Sequence, residues 1–347
     1  MQFIPLAPRS RAVPGVGRDT AKIAIVGDYT TPFDDRELKP FSGPNGSVLD
    51  SCLHAANIIR SEVYLTNVFK TKTSLPGKRA NYDYFDETKK KFTDLGMQHV
   101  EVLRKELDLI SANVIVAAGI PALMALTDYN SVAKYRGYVC GSTKLAKVRK
   151  IIPTYSPGST IRGTYVNRHM IVADLKKAKA ESAFPEIIRP ERNLVYEFDT
   201  VEEVLEWLDY FAEQPVVCFD IEVTNYEVAA ISFATKSTVG VSIPIGNSTY
   251  RPGGWTEQEE LQIWRGIQKV LGNPKSVKIA QNAIFDTHFL LTKQGIVVRG
   301  GVHDTMVGHS VMFPELPKGL DFLGSIYCGS QEYWKDSVSF KSIKGDD

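Results

Sequence analysis

Apolar positions in the first half of the chain fall into short runs separated by helical spacing. Lys22–Val26 ends at Gly27, and Val63–Thr66, Asn113–Ala118 and Val148–Pro153 are similar runs. Runs of this length bounded by polar residues or glycine predict strands. Between them, Val48, Leu49, Cys52, Leu53 and Ala56 share one face of a helix over Ser47–Ile59. Asp86–Leu109 reads as a long amphipathic helix, Pro121–Leu126 as the start of another, and His169–Ala180 as a basic one. Strands alternating with helices imply a parallel sheet covered on both faces.

The second half begins with a strand at Leu194–Phe198. Thr200 followed by Glu203 has the spacing of a capping box, and Val201, Val204, Leu205, Leu208 and Phe211 form the apolar face of the helix it opens. Strands at Val216–Ile221, Val228–Ala234 and Gly240–Pro244 precede a helix at Glu257–Leu271. Val277–Ala280 is a further strand, and Ala283–Lys293 a helix with Asn282 as N-cap. Residues 181–192 contain two prolines and no period, which marks a linker. The expected organisation is an α/β protein of two domains, 1–180 and 193–347.

The net charge of +1 conceals a division: residues 1–180 carry +11 and residues 181–347 carry −10. The basic half suits a polyanion, and the acidic half suits metal cations; two solvated surfaces are the other reading. Cys52, Cys140, Cys218 and Cys328 lie far apart with no C-x-x-C pair, which indicates neither a zinc site nor a disulfide framework. The longest apolar run, Val114 to Leu126, is too short to span a bilayer, and the first residues lack a signal-peptide pattern. A reduced, cytoplasmic setting without membrane partners is expected.

Asp220 and Glu222 sit two apart on an apolar strand, so their side chains share one face. Adjacent carboxylates repel unless a cation neutralises them, and hard oxygen ligands suit Mg²⁺ or Mn²⁺. Asp286 falls in the first turn of the helix after Asn282, where the helix dipole favours a carboxylate whatever its role. The strand-to-helix corner also can aim it at the Asp220/Glu222 face. Phe285 has two readings, a core side chain or a wedge against a nucleobase.

F-D-I-E at 219–222 and Q-N-A-I-F-D at 281–286 resemble the first two motifs of DnaQ-like 3′–5′ exonucleases, nearest to the proofreading domain of family A DNA polymerases. His303-Asp304-Thr305-Met306 and Lys318–Leu323 are similar to stretches that follow in phage members. The resemblance implies a ribonuclease H-like mixed sheet and phosphodiester hydrolysis with two Mg²⁺ or Mn²⁺ ions on Asp220, Glu222 and Asp286. It also implies that Asn282, Phe285 and Asp304 contact the substrate, a single-stranded DNA 3′ end. The family's last motif, Y-x-x-x-D or H-x-x-x-x-D, does not follow Lys318–Leu323, and Tyr333 and Asp336 have another spacing. Two readings follow, the front of a longer polymerase ending before that motif or an inactive exonuclease, and the first is the expectation.

In the basic half, Gly27-Asp28 with Asp34, Pro40-Phe41-x-Gly43-x-x-Gly46, Tyr64-Leu65-Thr66-Asn67 and the loop at Pro153–Arg162 resemble the uracil-DNA glycosylase superfamily, closest to its iron–sulfur branch. That implies a parallel-sheet α/β/α domain with a base pocket formed by Asp28, Tyr29, Asp34, Phe41, Asn67 and Ser156. Tyr29, Phe41 and Asn67 also read as core or turn residues. Ser156 stands where the family has a His that stabilises the departing base, and Tyr29-Thr30-Thr31 replaces its usual run. Thr71 follows Lys70 and the N-terminus has no C-x-x-C, so no iron–sulfur cluster is expected. DNA binding is expected to outlast glycosylase catalysis.

The combined reading is a proofreading 3′–5′ exonuclease behind a glycosylase-like DNA-binding domain, with a polymerase domain downstream or acting in trans. Such a protein would work in the host cytoplasm if phage-encoded. The alternatives are a stand-alone repair enzyme with both activities, and a non-catalytic DNA-binding polymerase accessory module.

Overall fold

Successive side chains of the first strand enter two different cores. Within β1 (Ile23–Tyr29), Ile23 and Ile25 face one apolar cluster while Ala24 and Val26 face the other. This is the period-2 alternation of a strand buried on both sides. The computed structural model describes residues 11–73, 83–246, 253–329 and 332–336. Contacts divide the chain into two units, one made of residues 1–189 and 321–347, the other of 190–320.

In the first unit, α1 (Pro32–Glu37) and α2 (Pro44–Ala55) follow β1, and β2 is Val63–Phe69. A small antiparallel pair, β3 (Phe85–Asp86) and β4 (Lys91–Phe92), precedes α3 (Asp94–Asp108). Then come β5 (Val114–Ala118), α4 (Ile120–Leu126), α5 (Val132–Tyr135), β6 (Cys140–Gly141), β7 (Lys150–Thr154), α6 (Pro157–Ile161) and α7 (Asn167–Glu181). Among the described residues the sheet order is β2-β1-β5-β7-β6, parallel except for β6. Leu103 and Leu107 of α3 and Leu123 of α4 pack in one core, and Leu49, Leu53, Ile171 and Leu175 of α2 and α7 in the other. This is the expected α/β/α arrangement.

The long helix expected from residue 86 starts only at Asp94. Residues 86–91 have no apolar face to bury, and Thr93 supplies the cap by accepting the Gly96 amide at 3.0 Å. Position 96 must be glycine, because a Cβ there would lie 1.9 Å from the Tyr84 carbonyl oxygen. The α2 helix likewise begins at Pro44, earlier than expected, with proline suited to the first turn. Beside α3, the buried hydroxyls of Thr71 and Tyr84 lie 2.7 Å apart, and the Lys70 amide donates to His99 Nδ1 at 3.1 Å. Burial, then the neighbouring Lys70 charge, push the His99 pKa down to about 4.

The second unit opens with β8 (Asn193–Val195) and α8 (Val201–Ala212). Thr200 accepts the Glu203 amide, but the Glu203 carboxylate turns to the Asp199 amide, so half of the expected capping box forms. Next come β9 (Val216–Thr224), β10 (Glu227–Lys236), β11 (Val239–Pro244), α9 (Glu257–Leu271), β12 (Val277–Ala280), α10 (Ala283–Gln294), β13 (Val302–Asp304) and α11 (Thr305–Met312). Among the described residues the order is β13-β12-β9-β10-β11-β8, with β9, β10 and β11 antiparallel and the other pairs parallel. This is the mixed, ribonuclease H-like sheet. Val217, Phe219 and Ile221 of β9 pack with Leu208 and Phe211 of α8 and Ile263 and Ile267 of α9. The alternate residues of β9, including Asp220 and Glu222, face away from that core.

The last helix, α12 (Leu320–Tyr327), departs from the expected second domain: from Asp321 the described residues pack on the first unit. Cations of that unit explain the attachment. Arg136 is 2% exposed and donates through Nη1 to the Ser325 hydroxyl at 2.8 Å. Lys177 Nζ donates at 2.7 Å to each of the carbonyls of Gly137, Ser325 and Cys328. Arg136 also pairs with the buried Asp174 carboxylate, which accepts the Thr154 hydroxyl at 2.7 Å.

Removing one partner of a buried ion pair leaves the other charge stranded. Asp174→Asn should cost the first unit about 3–5 kcal/mol, whereas the double change Arg136→Met with Asp174→Leu should cost much less. Urea unfolding of the full chain, followed by a probe in the first unit, checks the difference.

Candidate active site

The acidic site arises where one strand outlasts its neighbour. β9 pairs with β12 only as far as Cys218 opposite Ile279, and β12 stops at Ala280. Beyond that point the β9 edge lacks a strand partner on this side, and a buried amide there needs another acceptor. The turn into α10 supplies one. Asn282 takes a left-handed φ of 58°, turning the chain sharply, and Asp286 in the first helical turn accepts the Ile221 amide at 3.1 Å. Ile221 lies between Asp220 and Glu222, so this bond brings the third carboxylate to the other two.

The three carboxylates act on one another. Burial first, then Asp286 and Glu222, push the Asp220 pKa up to about 6. Burial raises that of Asp286 as well, opposed by the Ile221 amide and reinforced by Asp304 and Glu222. Among the described residues no lysine or arginine forms an ion pair with any of the three. No three acidic, His or Cys side chains among the described residues already stand in a metal-binding arrangement. The donor chemistry nevertheless fits a divalent cation: three hard oxygen donors, mutually repelling, without a resident counter-charge.

The flanking residues divide into two kinds. Asp304 caps α11 by accepting the Met306 and Val307 amides, and it also accepts those of Asn282 and Ala283 at 3.1 and 2.8 Å. Its oxygens therefore fasten the starts of α10 and α11 together. Asn282 occupies the N-cap position, yet its side chain makes no capping bond; Asp304 does that work. Phe285 is 49% exposed, with its ring 6.0 Å from Phe289. A groove of about 340 Å³ runs over the outer sheet face from Leu194 and Tyr196 to Asp220.

In the first unit, a cavity of about 1030 Å³ is lined by Asp28, Tyr29, Asp34, Phe41, Asn67 and Ser156. It opens where β1, β2, β5 and β7 end, the usual place for a ligand in a parallel sheet. Asp28 and Tyr29 belong to β1 itself, which runs past Gly27. Asp28 accepts the Ala122 amide of α4 at 3.0 Å, and burial pushes its pKa up to about 7. A side chain at Gly119 (φ 131°) would strike that carboxylate, with Cβ 1.8 Å from Oδ2. Asp34 is 2% exposed, and its oxygens accept the Thr31 and Ser42 amides, fixing the loop that carries Phe41. Asn67 Nδ2 and the Tyr29 hydroxyl are buried without a hydrogen-bond partner among the described residues.

Sequence reasoning did not reveal the Asp28–Ala122 bond or the need for Gly119. The signal was present in Gly119-Ile120-Pro121 after a buried strand, a helix start that leaves amides for an acceptor. The double capping by Asp304 left no local sequence trace, since its partners lie 21 and 22 residues away. Among the described residues no helix is long and apolar enough to cross a membrane.

Comparison with known proteins relates the two parts of the sequence to different families. Residues 14–176 match the uracil DNA glycosylase superfamily, and residues 195–342 match a 3′–5′ exonuclease family. The type-4 uracil-DNA glycosylase of Thermotoga maritima is 28% identical over 180 residues, 50% of this chain and 83% of that protein. That of Archaeoglobus fulgidus is 28% identical over 158 residues, 44% of this chain and 73% of that protein. DNA polymerase I of Pseudomonas aeruginosa is 27% identical over 146 residues, 40% of this chain but only 16% of the polymerase. Among solved structures, the catalytic core of RRP6 from Trypanosoma brucei aligns with a TM-score of 0.31 at 16% identity, covering 44% of this chain and 38% of that one. The EXD2 exonuclease domain soaked in Mn and GMP aligns with a TM-score of 0.25 at 19% identity, covering 38% and 68%. The chain thus carries a uracil-DNA glycosylase-superfamily domain followed by a 3′–5′ exonuclease domain.

Proposed function

We propose that the chain is a DNA-directed 3′–5′ exonuclease that proofreads for a polymerase domain, downstream or in trans, while its first unit holds DNA. The observation that carries this reading is the Ile221–Asp286 bond, which brings Asp286 against the strand segment that bears Asp220 and Glu222. Asp220, Glu222 and Asp286 would hold two Mg²⁺ or Mn²⁺ ions. When bound, such ions stabilise the attacking and leaving oxygens of phosphodiester hydrolysis. The protein's own part is to fix Asp286 beside the strand segment that carries Asp220 and Glu222. Asn282 and half-exposed Phe285, at the mouth of α10, would orient the terminal nucleotide. Asp304 would act by locking the corner that presents them.

In the first unit, the unpartnered Asn67 amide and Tyr29 hydroxyl, with Phe41 as a wall, form a pocket suited to an extruded base. Ser156 at its edge offers no imidazole to stabilise a departing base, so binding without efficient cleavage is the reading we favour. The basic surface of this half supplies phosphate affinity.

Incubated with a 5′-labelled single strand and Mn²⁺ or Mg²⁺, residues 1–347 should shorten the strand from its 3′ end only weakly, because the family's last motif is missing from them, and a version extended at the C-terminus should do so efficiently. Asp220→Ala should remove both that activity and Mn²⁺ binding while leaving DNA retention intact. A wild-type chain that binds no Mn²⁺ and cuts nothing would overturn the proposal.

A uracil-containing strand should be retained with little release of free uracil, measured directly by chromatography. The buried Asp28 carboxyl gives a pH signature. Its folded pKa of about 7 exceeds the ordinary 3.8, so the unfolded chain releases this proton first as pH rises. Its contribution to stability should therefore fall between about pH 4 and pH 7. Asp28→Asn should abolish that slope and stabilise the unit at pH 8 by at most about 4 kcal/mol, as read from unfolding curves across that range.

A further inference from the structure

β9 and β10 are joined by a two-residue turn, Asn225-Tyr226, with Thr224 paired to Glu227 across it. Both turn residues have positive φ, 53° and 63°. Two positive φ values make the turn that best suits strand twist, and it favours Asn then Gly. Asn225 obeys the rule. Tyr226 breaks it, because a bulky side chain in the left-handed region meets its own backbone.

Nothing in the fold compensates for that conformation. The Tyr226 side chain is 83% exposed, and among the described residues it has no hydrogen-bond or ring partner. A second irregularity lies beside it. The β9–β10 register shifts between Val228 and Ala230, and Ala230 is the residue opposite Glu222. Strain and a bulge are thus concentrated at the end of the strand that carries two site carboxylates. Such features collect where function requires them. Three residues, two of them in the strand, separate Glu222 from Tyr226, which places their Cα atoms about 14 Å apart at most. Tyr226 therefore lies at the hairpin end of the strand that carries Asp220 and Glu222.

We infer that Tyr226 is a positioning residue, an exposed ring held by the hairpin as a stacking platform for a base upstream of the scissile phosphate. The inference rests on the exonuclease reading above. Stacking on an aromatic face tolerates any base, as a proofreading nuclease needs. A merely superficial tyrosine at this turn would be a pure liability, and glycine would replace it without loss of function.

The full chain with Tyr226→Gly and Tyr226→Phe tests this. Tyr226→Gly should raise the thermal midpoint of the exonuclease unit by a few degrees, since it relieves the strained φ. It should raise KM for a single strand roughly 5- to 100-fold with kcat nearly unchanged, and Tyr226→Phe should restore KM. Substrates with one abasic sugar at successive positions should show a single upstream position whose loss raises KM in the wild type but not in Tyr226→Gly. Photocrosslinking of 5-iodouracil-substituted strands without divalent metal, mapped by mass spectrometry, should mark Tyr226. Digestion with an unchanged KM in Tyr226→Gly and no crosslink at Tyr226 overturns the inference but not the exonuclease. A crosslink at Tyr226 in a chain that cuts nothing supports the ring's contact with the strand and overturns the exonuclease reading instead.

Discussion

The hydrogen bond from the Ile221 amide to Asp286 sets the geometry on which the acidic site depends. It exists because β12 ends before β9 does, leaving an amide that only a neighbouring acceptor can satisfy. A carboxylate at the start of α10 meets that need and in doing so joins two others that repel it. The same bond that completes the backbone's hydrogen bonding therefore creates an electrostatic problem. Burial and mutual repulsion raise the pKa of Asp220 and of Asp286 together. A divalent cation resolves the repulsion, which is why a structural economy at a strand end becomes a candidate catalytic centre.

Carboxylates elsewhere in the chain show how environment assigns the work. Asp34 and Asp304 have the same chemistry as Asp220, but their oxygens are taken up by backbone amides. They hold loops and helix starts in place. Asp174 neutralises a buried guanidinium. Asp28 sits between these cases, bonded to one amide yet lining a cavity. What distinguishes a candidate reactive carboxylate here is an unmet electrostatic demand.

The opposite charges of the two halves fit the same logic. The first unit uses some of its cations internally, at Arg136 and Lys177, to bind α12. The second unit carries Asp220 and Glu222 on the sheet face away from its core, with Asp286 bonded to the amide between them. Each unit has its own hydrophobic core.

Much of this was legible in the residues themselves. Alternation along β1 and β9 determined which side chains enter a core, because a strand's period is fixed by backbone geometry. The same period put Asp220 and Glu222 on one face, whereas the pocket at Asp28, Tyr29 and Asn67 was expected only from the family resemblance. Tertiary structure decided the rest. It chose Asp304 and Asp34 as clamps, since their partner amides are remote in sequence or in loops of no fixed period. It began α3 at Asp94, where Thr93 could cap it and Gly96 could pass the Tyr84 carbonyl. It also sent α12 to the first unit, because buried cations there required acceptors, and local periodicity holds no record of a distant charge awaiting a partner.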